Sequence, residues 1–255
     1  MLHAFSRTEM LIGSEGLQKL KESKIAVFGI GGVGTFAVEA LTRSGVGSLV
    51  LVDHDHICLT NINRQIHANR NTIGKPKVEA MKERILDINS DVNVIAFKEL
   101  YNMDSAERLL KEDYSYVIDA IDMVSSKLDL IQRCKSKNIP IISAMGAGNK
   151  LNPTMLEVSD IYKTSVCPLA KVMRKELRNR GVKSLKVVYS RETPIVPLNL
   201  EEDCSDIDCI CPNKGGASTV RRQTPGSVSF VPSVAGIIIA SEVIKDILGI
   251  NNIHR

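Results

Sequence analysis

The sequence predicts an α/β protein with a doubly wound, Rossmann-like and mostly parallel sheet. Three observations predict this fold: apolar runs that end at a glycine or an acidic residue, segments of helical period between those runs, and the composition of a globular chain. The 255 residues are 44% hydrophobic and 24% charged, which excludes a disordered, collagen-like or coiled-coil chain. Apolar stretches fall short of the roughly 18 residues of a membrane span, and residues 1–7 do not resemble a signal peptide. We therefore expect a cytoplasmic protein without stable membrane insertion.

The clearest unit lies in the first 53 residues. Ile25–Ile30 is a continuous apolar run, typical of a strand buried on both faces of a parallel sheet. A glycine-rich turn follows, then a predicted helix over Thr35–Ser44 and a second strand, Ser48–Asp53, that ends on its acid. In this order, glycines bring phosphate close to a helix N-terminus and the acid Asp53 binds ribose hydroxyls. The predicted nucleotide-binding glycines are Gly29, Gly31, Gly32 and Gly34.

The same pattern continues further along the chain. A strand over Tyr116–Ile121 ends at Asp122, a helix is predicted over 125–136, and Pro140–Ala144 forms another strand. Because ligands bind at the carboxyl ends of parallel strands, Gly31, Asp53 and Asp122 are expected to meet at one edge. We predict a single domain, 1–255, with a nucleotide-binding half of about 1–148 and a substrate half of about 149–255.

Two helices are predicted outside this core. Leu17–Leu20 suggests a short helix that ends before Lys24. Val234–Leu248 suggests an amphipathic helix with Ile237, Ile238, Ile244 and Leu248 on its apolar side. Its polar side is not basic, so a core or subunit contact is expected rather than membrane binding.

Two basic side chains after the second strand favour ATP chemistry over hydride transfer. Arg64 closely follows the ribose acid, and Lys77 comes 13 residues later. Displacement at the α-phosphate of ATP builds negative charge on phosphoryl oxygens and on pyrophosphate, and fixed cations stabilise that charge. A nicotinamide site needs no such pair. The carboxylate of Asp122, at the end of a strand, is placed to hold Mg²⁺.

These motifs resemble the adenylating core of the ubiquitin-activating superfamily (the HesA/MoeB/ThiF group), with its bacterial molybdopterin and thiamine members. The resemblance implies a homodimer in which Arg7 enters the site of the partner. The residues that it assigns to ATP and its metal are Gly31 (phosphate approach), Asp53 (ribose), Arg64 and Lys77 (phosphate charge), Asn61 and Gln65 (support) and Asp122 (Mg²⁺).

Other stretches resemble a branch of this superfamily that modifies tRNA. They are Glu39–Gly45, Thr60–Ala68, Asp119–Asp122, Cys167–Ala170 and Gly226–Pro232. The implied reaction adenylates the threonyl carboxylate of N⁶-threonylcarbamoyladenosine, after which a urea nitrogen closes a hydantoin ring. An internal nucleophile needs no enzyme thiol. Two alternatives stay open: adenylation of the C-terminal carboxylate of a ubiquitin-like sulfur carrier, and a non-enzymatic nucleotide sensor.

A basic segment is compatible with a tRNA partner. Residues 171–191 hold eight Lys or Arg and one Glu, a net charge of +7 in a chain of +4. In a helix over 168–180 the cations would share one face, with Leu169, Val172, Met173 and Leu177 toward the core. A solvated helix face is the alternative explanation. The predicted tRNA-binding residues are Lys171, Arg174, Lys175 and Arg178.

The cysteines do not form a recognisable metal site. Cys204, Cys209 and Cys211 have the spacing C-x₄-C-x-C, without the second C-x-x-C pair of a structural zinc site, so zinc is not expected. We expect this segment, within 201–226, to be a redox-sensitive loop. Cys167 precedes Pro168, which suggests burial at a helix start. A sulfur-transfer protein stays open as a partner.

Overall fold

The computed structural model describes residues 2–198 and 225–250. The strands are β1 Lys24–Phe28, β2 Ser48–Val52, β3 Asn93–Phe97, β4 Tyr116–Asp119, β5 Ile141–Ala144, β6 Leu156–Asp160 and β7 Lys186–Ser190. The helices are α1 Ser6–Glu22, α2 Gly34–Arg43, α3 Lys77–Ile88, α4 Ala106–Leu109, α5 Val124–Ser136, α6 Pro168–Asn179 and α7 Phe230–Leu248. The strands form one sheet in the order β3-β2-β1-β4-β5-β7-β6, parallel throughout except for the pair β6–β7.

Helices cover both faces of this sheet, as the doubly wound prediction requires. One buried cluster packs α4, α5 and α6 against side chains such as Phe28 and Val117. The other packs α1, α2, α3 and α7 against alternate strand residues such as Val27 and Ile118. Each cluster includes residues from both sides of position 149. The strand order reverses between β1 and β4, and the crevice at their carboxyl ends is where such folds bind ligands.

The central elements lie within two residues of their predicted bounds, but both flanking helices are longer than predicted. α1 has 17 residues, whereas four were predicted. Its sequence shows little apolar periodicity, because the helix is kinked at Gly13 (φ +73°) and buries only Gly16 and Leu20. α7 begins four residues before the predicted start, since Pro232 lies in its first turn, where a missing N–H costs nothing.

Two side chains of the predicted apolar helix faces are exposed. Val172, predicted to face the core, is 46% exposed, and Ile237, predicted to make a core or subunit contact, is 50% exposed. Each lies one or two positions away from the buried stripe of its helix, which runs through Met173 and Leu177 in α6 and through Ile239 and Val243 in α7. Within the described ranges, the helices lack the combination of length and apolarity that crossing a bilayer demands.

Candidate active site

The glycine turn after β1 is closed by backbone contacts that exclude side chains at two positions. Gly29 has φ +92°, and a Cβ there would meet the carbonyl oxygen of Ala120 at 2.5 Å. A Cβ on Gly34 would meet the carbonyl oxygen of Gly29 at 1.9 Å. At Gly32 the added atom would press on Pro232 at 3.2 Å, whereas at Gly31 it would meet nothing within 4 Å. Only Gly31 therefore faces open space, which is the space that a phosphate approaching the N-terminus of α2 would need.

Alanine at these glycines should separate folding from nucleotide binding. Gly34→Ala should destabilise the protein by about 3 kcal/mol, because the methyl group meets a fixed carbonyl. Gly31→Ala should leave stability within about 0.5 kcal/mol and weaken ATP binding about tenfold, since the methyl group fills the phosphate approach. Urea unfolding and titration with ATP measure the two effects. Equal ATP affinity in Gly31→Ala and the unchanged protein would contradict the assignment.

Ile30, inside the glycine turn, is held from both sides. Its backbone N–H donates to Asp53 Oδ2 at 2.7 Å, and its carbonyl accepts from His67 Nε2 at 3.1 Å. The second oxygen of Asp53 accepts from the N–H of Asp55 at 2.9 Å. Asp53, predicted as the ribose ligand, thus also fixes the glycine turn at the end of β2.

Because Nε2 of His67 donates, its Nδ1 carries no proton, and Nδ1 has no partner among the described residues. Burial lowers the pKa of His67 to about 4. Nearby, Oε1 of Gln65 is also buried without a described partner. Two unmatched buried acceptors two residues apart, one of them on a side chain bonded to the glycine turn, are what a site for a polar ligand or ordered water provides.

Burial of neutral His67 should make the protein less stable in mild acid. The folded pKa of about 4 lies below the ordinary 6.5, so the unfolded state binds more protons between these values. His67 should therefore remove up to about 3 kcal/mol of stability as the pH falls from 6.5 to 4. Urea unfolding at pH 7 and pH 4.5 should show a shallower pH dependence in His67→Gln. Parallel profiles for the two proteins would refute this account.

The segment after β2 places the predicted arginine against the glycine turn. The Cγ of Arg64 lies 3.5 Å from the position of a Cβ on Gly32. Nη1 of Arg64 donates to the carbonyl of Thr60 at 2.8 Å and to Oδ1 of Asn63 at 3.0 Å, and burial lowers the pKa of its guanidinium. Asn61 is buried and its Oδ1 accepts from the N–H of Cys58, so it shapes this turn.

Lys77, the first residue of α3, lies beside Asp53, the predicted ribose ligand. Its ammonium donates to Asp55 Oδ2 at 2.6 Å and lies 4.0 Å from Asp53 Oδ1. Asp53, His54 and Asp55 bring potential metal ligands within 4.8 Å of one another. The ammonium of Lys77 already neutralises these carboxylates, so the Asp53–His54–Asp55 cluster does not fit Mg²⁺. To reach a phosphate, Lys77 would have to leave Asp55.

Asp122 fits a divalent cation better. It follows β4 by three residues, is exposed, and makes no hydrogen bond or ion pair with residues 2–198 or 225–250. Two residues before Asp122, the N–H of Ala120 donates to the carbonyl of Phe28 at 2.8 Å, and the Ala120 carbonyl lies where a Cβ on Gly29 would be, so this segment borders the glycine turn. A free carboxylate is the oxygen donor that Mg²⁺ prefers.

Beneath Asp122 lies a fully buried ionic cluster that was not predicted from the sequence. Lys127 and Asp119 are both 0% exposed, and Lys127 Nζ lies 2.9 Å from Asp119 Oδ2. The ammonium also donates to the carbonyls of Ile121 at 3.0 Å and Ala144 at 2.9 Å, and Ser143 donates to Asp119. The cluster therefore ties the ends of β4 and β5 together directly below the Asp122 loop.

Arg7 is not in the crevice of its own chain. Two residues before it, the ring of Phe5 packs against Gly45, just beyond the C-terminal end of α2: a Cβ added to Gly45 would lie 3.5 Å from Phe5 Cγ. The glycine turn lies at the other end of this ten-residue helix, about 15 Å away.

Cys167 is buried at the start of α6, as predicted, whereas Cys204, Cys209 and Cys211 lie outside the described residues.

The basic face of α6 is present, with two of its four cations engaged. Nη1 of Arg174 donates to the carbonyl of Thr164 at 2.9 Å, and the guanidinium of Arg178 lies 5.4 Å from the ring centroid of Tyr162. Lys171 and Lys175 are exposed.

A sequence profile described as the ThiF family matches residues 5–255. The chain belongs to the ThiF family. It is 47% identical over 249 residues to tRNA threonylcarbamoyladenosine dehydratase of Bacillus subtilis (strain 168), covering 97% of this chain and 96% of that protein. The crystal structure of the Escherichia coli enzyme of that name with ATP has a TM-score of 0.83 and 34% identity, covering 96% of this chain and 93% of that one. Its complex with AMP has a TM-score of 0.83 and 33% identity, covering 96% and 94%.

Of the two residues of this ThiF-family chain that sequence reasoning missed, Lys127 left a detectable signal. Lys127 falls on the same face of α5 as Leu128 and Ile131, so a charged residue occupies a core position of an otherwise apolar stripe. A buried charge requires a buried partner, and that requirement points to Asp119, the last residue of β4. His67 gave no comparable signal, because its burial depends on distant packing.

Proposed function

We propose that this chain is an ATP-dependent enzyme that adenylates the threonyl carboxylate of N⁶-threonylcarbamoyladenosine in tRNA and closes it to the cyclic hydantoin form. The observation that carries the proposal is the 47% identity to a tRNA threonylcarbamoyladenosine dehydratase over nearly the whole of both chains. The solved relative with this name binds ATP and AMP, the nucleotides expected before and after adenylation.

In the first step, a carboxylate oxygen of the threonyl group attacks the α-phosphorus of ATP. The bond from that phosphorus to the bridging oxygen breaks, pyrophosphate leaves, and a mixed anhydride with AMP forms. The chain contributes fixed positive charge and the positive N-terminal end of α2 at the glycine turn. Arg64, beside Gly32, supports this role by its place.

In the second step, a urea nitrogen of the same nucleoside attacks the activated carbonyl and AMP leaves. The nitrogen loses its proton, and the oxygen that the carboxylate gave up departs on AMP, so the net change is loss of water. Because the nucleophile and carbonyl belong to one group, positioning supplies most of the acceleration. None of the described cysteines, Cys58, Cys134 and Cys167, is needed as a nucleophile.

Binding roles follow from the places of the side chains. Gly31 leaves room for the phosphates, Asp53 retains acceptor capacity for the ribose, and Gln65 offers a buried unpaired oxygen. Lys77 would carry phosphate charge on leaving Asp55, and Asn61 supports the turn that bears Arg64. Mg²⁺, held by Asp122, would neutralise phosphate oxygens. We propose no zinc.

The substrate implies the remaining partners. Lys171, Arg174, Lys175 and Arg178 are proposed to contact tRNA phosphates. A homodimer is proposed because Arg7 lies far from the crevice of its own chain and could act only in another subunit. We propose a cytoplasmic location, because the proposed substrates, tRNA and ATP, are both present there. A single domain is proposed because both core clusters join the two halves of the chain.

Adenylation of a sulfur-carrier protein is the alternative function. One assay separates the two: ATP–pyrophosphate exchange with purified protein and either tRNA carrying N⁶-threonylcarbamoyladenosine or a carrier with a C-terminal Gly-Gly. We expect exchange only with the modified tRNA, followed by one AMP released per cyclic nucleoside found by mass spectrometry. The same tRNA transcript without the modification is the control. Exchange with the carrier alone would overturn the proposed function.

A further inference from the structure

A basic groove lies between the C-terminal ends of α5 and α6. It has a volume of about 530 Å³, and its cations are Arg133, Lys135, Arg180 and Lys183. We call it the α5–α6 groove. A second hollow of about 440 Å³ shares Lys135 with it, so this lysine lies where the two meet.

The charges of the α5–α6 groove are only partly neutralised. Arg133 pairs with Glu107 and Asp129, and Arg180 pairs with Glu176. Lys135 and Lys183 are exposed and form no ion pair with any residue that the structure describes. None of the nine residues that line the groove is acidic. The groove thus keeps two lysine charges for an external anion.

The groove is connected to the active-site edge by a basic path. Residues 180–184 directly precede β7 and residues 132–136 precede β5, so the groove lies at the amino edge of these parallel strands. α6 starts at the opposite edge, where Cys167 packs near Gly146 just after β5. The helix is about 18 Å long, and Lys171 and Lys175 lie exposed along it.

We infer that the α5–α6 groove binds the phosphodiester backbone of the tRNA substrate, away from the modified nucleoside that enters the active site. This inference rests on the proposed function. The lining favours RNA over an acidic protein: Val182 is its one apolar residue and it holds no aromatic side chain, whereas protein interfaces depend on apolar and aromatic anchors. Gln132, Ser136 and Ser184 add the neutral donors that commonly contact phosphate.

Charge reversal at the two unpaired lysines tests the inference. The probe is tRNA carrying N⁶-threonylcarbamoyladenosine, bound to the full chain at several salt concentrations. Lys135→Glu with Lys183→Glu should raise Kd for tRNA at least tenfold. The variant should also show a weaker salt dependence. The negative slope of log affinity against log salt concentration should become shallower by about 1.5, as expected for two lost phosphate contacts. The affinity for ATP and kcat at saturating tRNA should stay within twofold.

The matched control is Lys19→Glu with Lys21→Glu. These lysines are exposed on α1, across the sheet from the groove, and the pair changes the net charge equally. The control should bind tRNA within threefold of the unchanged protein. The inference is overturned if both double variants bind tRNA equally weakly, or if the groove variant keeps full affinity for tRNA. In either case, cyclisation by the unchanged protein would still support the proposed function. If the unchanged protein neither binds nor cyclises modified tRNA, both proposals fail.

Discussion

Replacing Asp122 with alanine should reduce the rate of adenylation about 10²–10³-fold, the range measured when one preorganised electrostatic contact is lost. The carboxylate is exposed and has no hydrogen-bond partner in the described parts of the chain, so the folded state loses nothing when it is removed. The free energy of unfolding should therefore change by less than about 0.5 kcal/mol. Pyrophosphate release with modified tRNA measures the first effect, and urea unfolding measures the second.

Asp87→Ala is the matched control for this variant. Asp87 is also an exposed aspartate without a described ion pair, but it lies in α3, whose last turn is remote from the glycine turn. It should keep full activity. An Asp122→Ala enzyme that releases pyrophosphate at the original rate, at any magnesium concentration, would show that Asp122 does not hold the cation.

The same variant tests the proposed action of Arg7 across subunits. Arg7→Ala should lower activity, because Arg7 is proposed to complete the partner's site. Mixing Arg7→Ala with Asp122→Ala subunits should restore part of the activity, since one site of each mixed dimer would have both groups intact. Mixed preparations as inactive as their components would argue against exchange of Arg7.

The fold was predictable because its central elements follow simple local rules. Buried parallel strands are continuous apolar runs, and β1, β2, β4 and β5 all show one. The glycine turn and Asp53 follow from the strand–turn–helix–strand order. β3, β6 and β7 were not predicted: β3 and β6 are only partly buried, so their apolar patterns are weak.

The crevice was predictable as a set of residues but not as a set of contacts. Sequence reasoning gave Asp53 one role, the ribose, whereas the structure adds its hydrogen bond to Ile30, which holds the glycine turn. It assigned Lys77 to phosphate, and the structure shows the ammonium on Asp55. Such pairings depend on which side chains meet across separate strands, and that information is not local.

Lys127 carries the second large prediction, because it is a fully buried charge with a single buried counter-charge. Lys127→Met keeps the length of the side chain and leaves the buried carboxyl group of Asp119 without its ammonium partner. Breaking a buried pair from one side costs about 3–5 kcal/mol, because the remaining group is buried without the partner that compensated its loss of hydration. We therefore expect the free energy of unfolding to fall by about that amount in urea titrations.

Removing the second charge should restore much of the stability but not the activity. In Lys127→Met with Asp119→Asn no buried charge remains, and such neutral replacements are often tolerated. The carbonyls of Ile121 and Ala144 still lack the donor that fixes the ends of β4 and β5 below Asp122. The double variant should thus be more stable than Lys127→Met, yet retain a lowered kcat with little change in the KM for ATP. Full activity in a stable double variant would show that the cluster supports the fold alone, whereas a slow, stable enzyme would identify Lys127 as the residue that positions Asp122.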